Sequence, residues 1–267
     1  MNTKRIVSGI IVGCAVTILL LIPNNFVIGL LLTVIALTAM NEYMNAIANI
    51  CKPIRWMGYL SCIIVATIKF IPQEYLLTVL TYSIPTIILL LFANVIATDM
   101  EISFKDIAYT FFGICYIPVF IMFLTLIDGM HNGKFLLGYI FMASWGSDVF
   151  AYVIGCRFGK HKFTKVSPKK SIEGCVAGVV GATALMLIYT FVLNNYFSFS
   201  YSYISIIIAG IVLSLLGQIG DLSASVIKRF VDIKDYGTLL PGHGGMLDRI
   251  DSVLFIAPFA YMLFSII

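Results

Sequence analysis

The sequence predicts an all-α, polytopic integral membrane protein of about nine transmembrane helices with a cytoplasmic N-terminus. Three observations carry that prediction. Apolar residues fill 60% of the 267 positions and charged residues 11%, roughly half the charged share of a soluble domain, and the mean hydropathy is +1.01. A soluble fold could not hide so much apolar surface from water. Apolar runs recur at about the 20-residue length that crosses a hydrocarbon core of about 30 Å. Finally, the basic residues fall on alternate connections between those runs.

In chain order, spans are expected at 6–22, 26–48, 54–72, 76–97, 104–127, 134–156, 174–194, 201–224 and 250–267. The first follows a short basic start, Lys4-Arg5, and is laid out like a signal peptide. It has no clear small-x-small cleavage site before Pro23-Asn24-Asn25, so it reads as a retained helix. The third is interrupted by Lys69 and flanked by Arg55. With the N-terminus inside and the spans alternating, fifteen of the seventeen Lys and Arg residues lie inside, and only Lys69 and Lys134 lie outside. A miscounted helix before Arg157 would scramble that split. No internal repeat is visible, so nothing supports an inverted-repeat transporter.

The six cysteines (Cys14, Cys51, Cys62, Cys115, Cys156 and Cys175) include no CxxC pair, and most sit in apolar runs. They read as small packing residues, with neither a zinc site nor a disulfide framework.

Two long inside loops hold ten of the seventeen Lys and Arg residues. The first, 157–173, is basic along its length and would be drawn to anionic lipid. It ends in SPKKSIEG, where Ser167-Pro168 forms a turn, Lys169 and Lys170 are paired, and Ser171 and Glu173 precede Gly174. A helix rich in small residues (Gly174, Ala177, Gly178, Gly181) starts there. A helix N-terminus beside lysines is a ready phosphate site.

Acids inside apolar spans are expensive, about 2.5–3.5 kcal/mol or more near the bilayer centre, so each needs a reason. Asp148 lies in the sixth expected span and Asp221 near the inside end of the eighth. Glu42, late in the second near the interface, reads as structural. Asp221, Ser225 and Lys228 follow at i, i+4 and i+7, which stacks them on one helix face. Such a face belongs in a polar cavity rather than against lipid.

The second loop contains PGHGGMLDRID, from Pro241 to Asp251. Pro241-Gly242-His243-Gly244-Gly245 cannot be helical; it leaves backbone N–H groups free to approach a ligand closely. Asp248, Arg249 and Asp251 then open the last span. Asp221 and Asp248 offer hard oxygen ligands suited to Mg²⁺, which takes one or two carboxylates plus substrate phosphates. Arg249 is a forked phosphate donor, and Asp251, about one turn on, reads as orienting it. His243, without a second His or Cys beside it, fits a phosphate or proton-bearing partner better than a ligand. Together these features point to phosphoryl or nucleotidyl transfer at the cytoplasmic face.

The full pattern, Ser225-x-x-Lys228-Arg229, then Lys234-Asp235, then Pro241-Gly242-His243-Gly244-Gly245-x-x-Asp248-Arg249-x-Asp251, resembles the signature of the phosphatidate cytidylyltransferases (CDP-diacylglycerol synthases). The resemblance extends upstream through FGKHK and SPKKSIEG, and more weakly through Asp148-x-x-Ala151-Tyr152. It covers roughly residues 145–251. The family commonly has Thr where Ser171 stands and tends to have Gly where Phe150 stands.

The resemblance implies reaction of phosphatidic acid with CTP to give CDP-diacylglycerol and pyrophosphate, with Mg²⁺ on Asp221 and Asp248. It implies catalytic roles for Lys228, Arg229, Asp235, His243 and Arg249. It also implies substrate contacts from Ser167, Lys169, Lys170, Ser171, Glu173, Gly174, Ser225, Gly242, Gly244 and Gly245, with Asp148 and Asp251 as further candidates. On this reading residues 1–130 are N-terminal transmembrane helices with little motif content. Residues 131–267 form the catalytic transmembrane region, with cytoplasmic motif loops at 157–173 and 225–251. The expected location is the cytoplasmic (inner) membrane. The sequence leaves open a homodimer and a second cation, monovalent included.

Three alternatives were weighed. A CTP-dependent enzyme acting on another membrane lipid, of the CDP-archaeol synthase or polyprenol kinase type, differs only in lipid specificity. CDP-alcohol phosphotransferases fail, because Asp128-Gly129 is followed by Met130-His131-Asn132-Gly133 rather than by their Asp-Gly-x-x-Ala-Arg motif. A cation transporter using Asp148 and Asp221 would need neither the PGHGG loop nor the paired lysines.

Overall fold

The computed structural model describes residues 25–68, 71–238 and 244–266. The first expected span, 6–22, lies outside them, as do Gly242 and His243. The chain divides into two compact units, one of Met1–Gly129 with Val231–Leu247 and one of Met130–Phe230 with Asp248–Ile267.

The first unit contains helices α1 (Asn25–Ile47), α2 (Arg55–Thr67), α3 (Gln73–Ala97), α4 (Phe104–Tyr116) and α5 (Pro118–Asp128). Helix α4 begins with a capping box: Ser103 accepts from the Asp106 N–H, and the Asp106 carboxylate accepts from Ser103, satisfying two otherwise orphaned donors. Asp106 also accepts from the Lys52 N–H at 2.6 Å, which ties the α1–α2 connection to α4. Pro118 opens α5 and breaks the helical ladder, so α4 and α5 form one apolar span, Phe104–Asp128, bent at Ile117. Tyr43 of α1 is fully buried and donates to the Tyr109 carbonyl at 2.9 Å. A Cβ at Gly113 would run into its ring. Helix α3 is almost wholly exposed at the protein surface, as expected of a helix whose apolar side chains face lipid.

The second unit contains α6 (Gly133–Phe141), a π-helical turn (Met142–Gly146), α7 (Ser147–Phe158), α8 (Ile172–Tyr196), α9 (Tyr203–Phe230) and α10 (Leu247–Phe264). Helices α7, α8 and α9 pack closely because α8 presents small residues. Gly178 lies against Ser147 and Gln218, and a Cβ on Gly181 would enter the Phe150 ring. Phe150, the bulky departure from the resembled pattern, fits because α8 leaves that space empty. The π turn directly precedes Ser147 and Asp148, a placement common at functional sites.

Six helices among the described residues are long and apolar enough to cross a membrane: Val27–Ile47, Glu74–Ala97, Phe104–Asp128, Gly133–Phe158, Ile172–Tyr196 and Tyr203–Phe230. They coincide with the second and the fourth to eighth expected spans. The third departs from expectation, since α2 has 13 residues and reaches about 20 Å at 1.5 Å per residue. Helix α10, with 18 residues, begins with Asp248, Arg249 and Asp251 and is not among the six. The chain is thus an all-helical, multi-pass membrane protein.

Candidate active site

The basic loop of the second unit is folded back and pinned. Ser167 accepts from the Lys170 N–H at 3.1 Å, closing a turn with Pro168 at its second position, where proline presets φ. Phe163 donates to the Lys170 carbonyl at 3.0 Å, and Ile172 donates to the His161 carbonyl at 2.9 Å. The two sides of the loop therefore pair. Ser171 caps α8 by accepting from the Gly174 N–H at 3.1 Å, which satisfies a first-turn donor.

Glu173 completes this closure. Its carboxylate accepts from the backbone N–H groups of Lys160 and His161, each at 3.2 Å, and lies 2.6 Å from His161 Nδ1. An acid in the first turn of a helix is also favoured by the helix dipole. The resemblance gives Glu173 a nucleotide contact, but here its carboxylate holds the loop. Lys169 stays exposed and Lys170 is half-buried.

Lys170 reaches across to α9 and pairs with Asp221. Lys228, two turns further along α9, donates to Asp248 at the start of α10 over 2.6 Å. The α9 face read from the sequence is present, but Asp221 and Lys228 do not pair with each other. Each takes a partner from a different element. Ser225 is half-buried between them on the same face, and Arg229 is exposed in the last turn.

Asp148 lies within electrostatic reach of Asp221, Lys170 and Arg249. Asp251 lies within electrostatic reach of Asp221, Asp148 and Lys228. The sequence reading pairs Asp251 with Arg249. In the structure Asp251 is buried and Arg249 is exposed. Asp248 and Asp251 are buried, whereas Asp148 and Asp221 remain accessible. Cations from the loop, α9 and α10 offset the repulsion between these acids.

Beside the acids, Gln218 donates to Ser147 Oγ at 3.0 Å and to the Cys175 carbonyl at 2.9 Å, crosslinking α7, α8 and α9. The sequence reading missed Gln218, Ser147 and His161. Gln218 had a signal: it is a polar residue in an apolar run, one turn before Asp221.

In the first unit, Gly244 adopts a left-handed φ of 80°, a conformation glycine takes without strain. Gly245 is buried, and Asp235 is exposed. A cavity of about 410 Å³, lined by His131, Tyr139, Tyr201 and Phe264 among others, lies at the opposite helix ends of the second unit, away from these charges.

Among the described residues, no three His, Cys, Asp or Glu side chains converge closely enough to hold an ion by themselves. A divalent ion here would draw the rest of its shell from phosphates and water, as Mg²⁺ commonly does. The hard oxygens of Asp221 and Asp248 fit such an ion. Each of these acids is paired with a lysine, Asp221 with Lys170 and Asp248 with Lys228.

The chain matches the cytidylyltransferase family over residues 3–267. It is 37% identical to a phosphatidate cytidylyltransferase of Bacillus subtilis over 194 residues, covering 71% of this chain and 65% of the relative. It is 32% identical to the enzyme of that name from Staphylococcus haemolyticus over 230 residues, 84% of each chain. The corresponding Staphylococcus saprophyticus protein is 32% identical over 254 residues, 93% of this chain and 94% of the relative. With a match running from end to end, and acids and lysines meeting at one end of four packed helices, the chain belongs to the cytidylyltransferase family.

Proposed function

We propose that this protein transfers the CMP moiety of CTP to phosphatidic acid, forming CDP-diacylglycerol and releasing pyrophosphate. The observation that carries this reading is the meeting of Lys170, Lys228 and Arg249 with Asp148, Asp221, Asp248 and Asp251 beside a pinned basic loop. A phosphate oxygen of phosphatidic acid attacks the CTP α-phosphorus. The bond from that phosphorus to the β-phosphate bridging oxygen breaks, and pyrophosphate leaves with the electron pair. The nucleophile is already anionic, so no Ser–His activation is needed.

Catalysis then reduces to alignment and charge neutralisation. Lys169 and Lys170, on the loop that Glu173 closes, hold the triphosphate, and Lys228, Arg229 and Arg249 meet phosphate oxygens. Asp221 and Asp248 hold Mg²⁺, which when bound neutralises charge on the nucleotide phosphates. The acyl chains stay among the helices, in the bilayer. Every group named belongs to one chain, so the reading holds for a monomer or a homodimer.

The site faces the cytoplasm of a bacterial inner membrane, in a chain of nine crossings with its N-terminus inside. The placement of fifteen of seventeen basic residues supports this orientation.

Purified protein given Mg²⁺, CTP and phosphatidic acid is expected to release pyrophosphate and form a CMP-bearing lipid. Release that ignores phosphatidic acid but requires another lipid would move the substrate to that lipid.

A further inference from the structure

Glu42 is an acid in an apolar helix, with 7% of its surface exposed. Read from the sequence it is a structural residue near the interface, and among the described residues no basic side chain pairs with it. Its partners are backbone. Glu42 Oε1 accepts from the Met246 N–H and Oε2 from the Leu247 N–H, both at 2.8 Å. These are the N–H groups at the start of α10, which have no partner within the helix. Met246 stands at the capping position, and its side chain cannot accept them. The cap comes instead from a residue 204 positions earlier.

The same carboxylate touches the chain twice more. A Cβ on Gly237 would sit 2.7 Å from Glu42 Oε1, and one on Gly245 would collide with both oxygens. Gly237 and Gly245 therefore both lie against the Glu42 carboxylate. Both ends of the glycine-rich stretch rest on one anion, and only glycine permits that approach. The next residues along the chain are Asp248 and Arg249.

We propose that Glu42 is a positioning residue for nucleotidyl transfer: it holds two consecutive peptide N–H groups and so sets where Asp248 and Arg249 begin α10. The proposal rests on the function proposed above. Carboxylate-to-N–H bonds are charge-assisted and short, and two of them to one carboxylate fix direction as well as distance. Displacing a catalytic group by about 1 Å can cost on the order of a hundredfold in rate. A cap on the Met246 and Leu247 N–H groups, one residue before Asp248, therefore has a consequence for chemistry that local packing does not.

The test is Glu42→Gln, whose amide NH₂ would face an N–H donor in place of one acceptor. Purified variant and parent are compared by CTP kinetics, thermal unfolding and peptide-resolved hydrogen exchange. We expect kcat to fall about ten- to a hundredfold, as for other orienting partners, with the KM for CTP changing less than threefold. Exchange should accelerate in peptides covering 244–250 and stay unchanged in those covering 172–196 and 203–230. Glu42→Asp, which keeps both acceptors on a shorter stem, should recover part of kcat. Gly245→Ala, which crowds the same carboxylate, should resemble Glu42→Gln, with no further loss in the double variant.

Normal kcat in folded Glu42→Gln protein would overturn the proposal. So would uniform acceleration of exchange in all peptides, which marks a folding role only. If the parent protein makes no CMP-lipid from phosphatidic acid, the function reading fails, while the exchange pattern still decides whether Glu42 sets this peptide.

Discussion

Lys228 of α9 donates to Asp248 of α10 across 2.6 Å, joining the last turn of one helix to the first turn of the next. Each charge suits its helix end, since cations are favoured at C-termini and anions at N-termini. The two side chains are 13% and 3% exposed, so neither is well hydrated. A pair of this kind is costly to break from one side, because the remaining charge stays buried after losing that partner.

Lys228→Met is therefore expected to destabilise the protein by about 3–5 kcal/mol and to abolish turnover. Asp248→Asn keeps the size and one acceptor oxygen and leaves Lys228 within reach of Asp251, so it should lose less stability than Lys228→Met while losing activity. Thermal unfolding in detergent beside pyrophosphate release separates the two. Equal stability loss in both variants would contradict the pairing argument.

Asp221→Asn and Asp248→Asn should each reduce kcat at least about a hundredfold, the scale seen when one charge-stabilising group is removed. Their losses should be strongly non-additive, because groups acting as a unit fail together. Chelating divalent ions should silence the parent enzyme, and Mg²⁺ should restore it. Well-folded Asp221→Asn protein turning over normally at saturating Mg²⁺ would remove the metal assignment.

Asp251 is expected to matter more than a residue that only orients Arg249. It is buried and faces Asp148 and Asp221, so Asp251→Asn should cost at least about tenfold in rate, on the scale of orienting groups around a metal. Activity within twofold of the parent would show that the acid cluster works without it.

Glu173→Gln should loosen the basic loop rather than remove a nucleotide ligand. Its carboxylate is committed to Lys160, His161 and the His161 ring. The expected result is a severalfold rise in KM for CTP with a smaller change in kcat, and His161→Ala should behave alike. A large kcat loss at unchanged KM would point to direct contact with the reacting phosphates.

Gly181→Ala should destabilise by about 1–3 kcal/mol through overpacking, since a Cβ there meets the Phe150 ring. Phe150→Ala in the same chain should relieve the clash. Failure of that rescue would show that the two helices are held apart by something other than this ring.

For orientation, a cysteine-free variant carrying Thr164→Cys should react with an impermeant maleimide only after cells are opened. Labelling of intact cells would reverse the charge-based topology.

Much of this protein could be read without coordinates. Hydropathy and run length determine an all-helical membrane protein, because a bilayer admits little else than helices of that length. The spacing of Asp221, Ser225 and Lys228 determines a shared helix face, since helical periodicity is local. Within the expected span 54–72 the described helix is Arg55–Thr67, because apolar composition alone does not set where a helix ends.

Tertiary structure alone decided who meets whom. Lys170 could have served any phosphate, yet it meets Asp221. Asp251, read as orienting Arg249, also lies within electrostatic reach of two other acids. Glu42 looked like an interfacial acid, yet it caps a helix 204 residues away. Such pairings depend on how each helix is rotated and how far it is inserted beside its neighbours. That is set by the sum of many weak contacts across the packed interior, which no local pattern in the chain records.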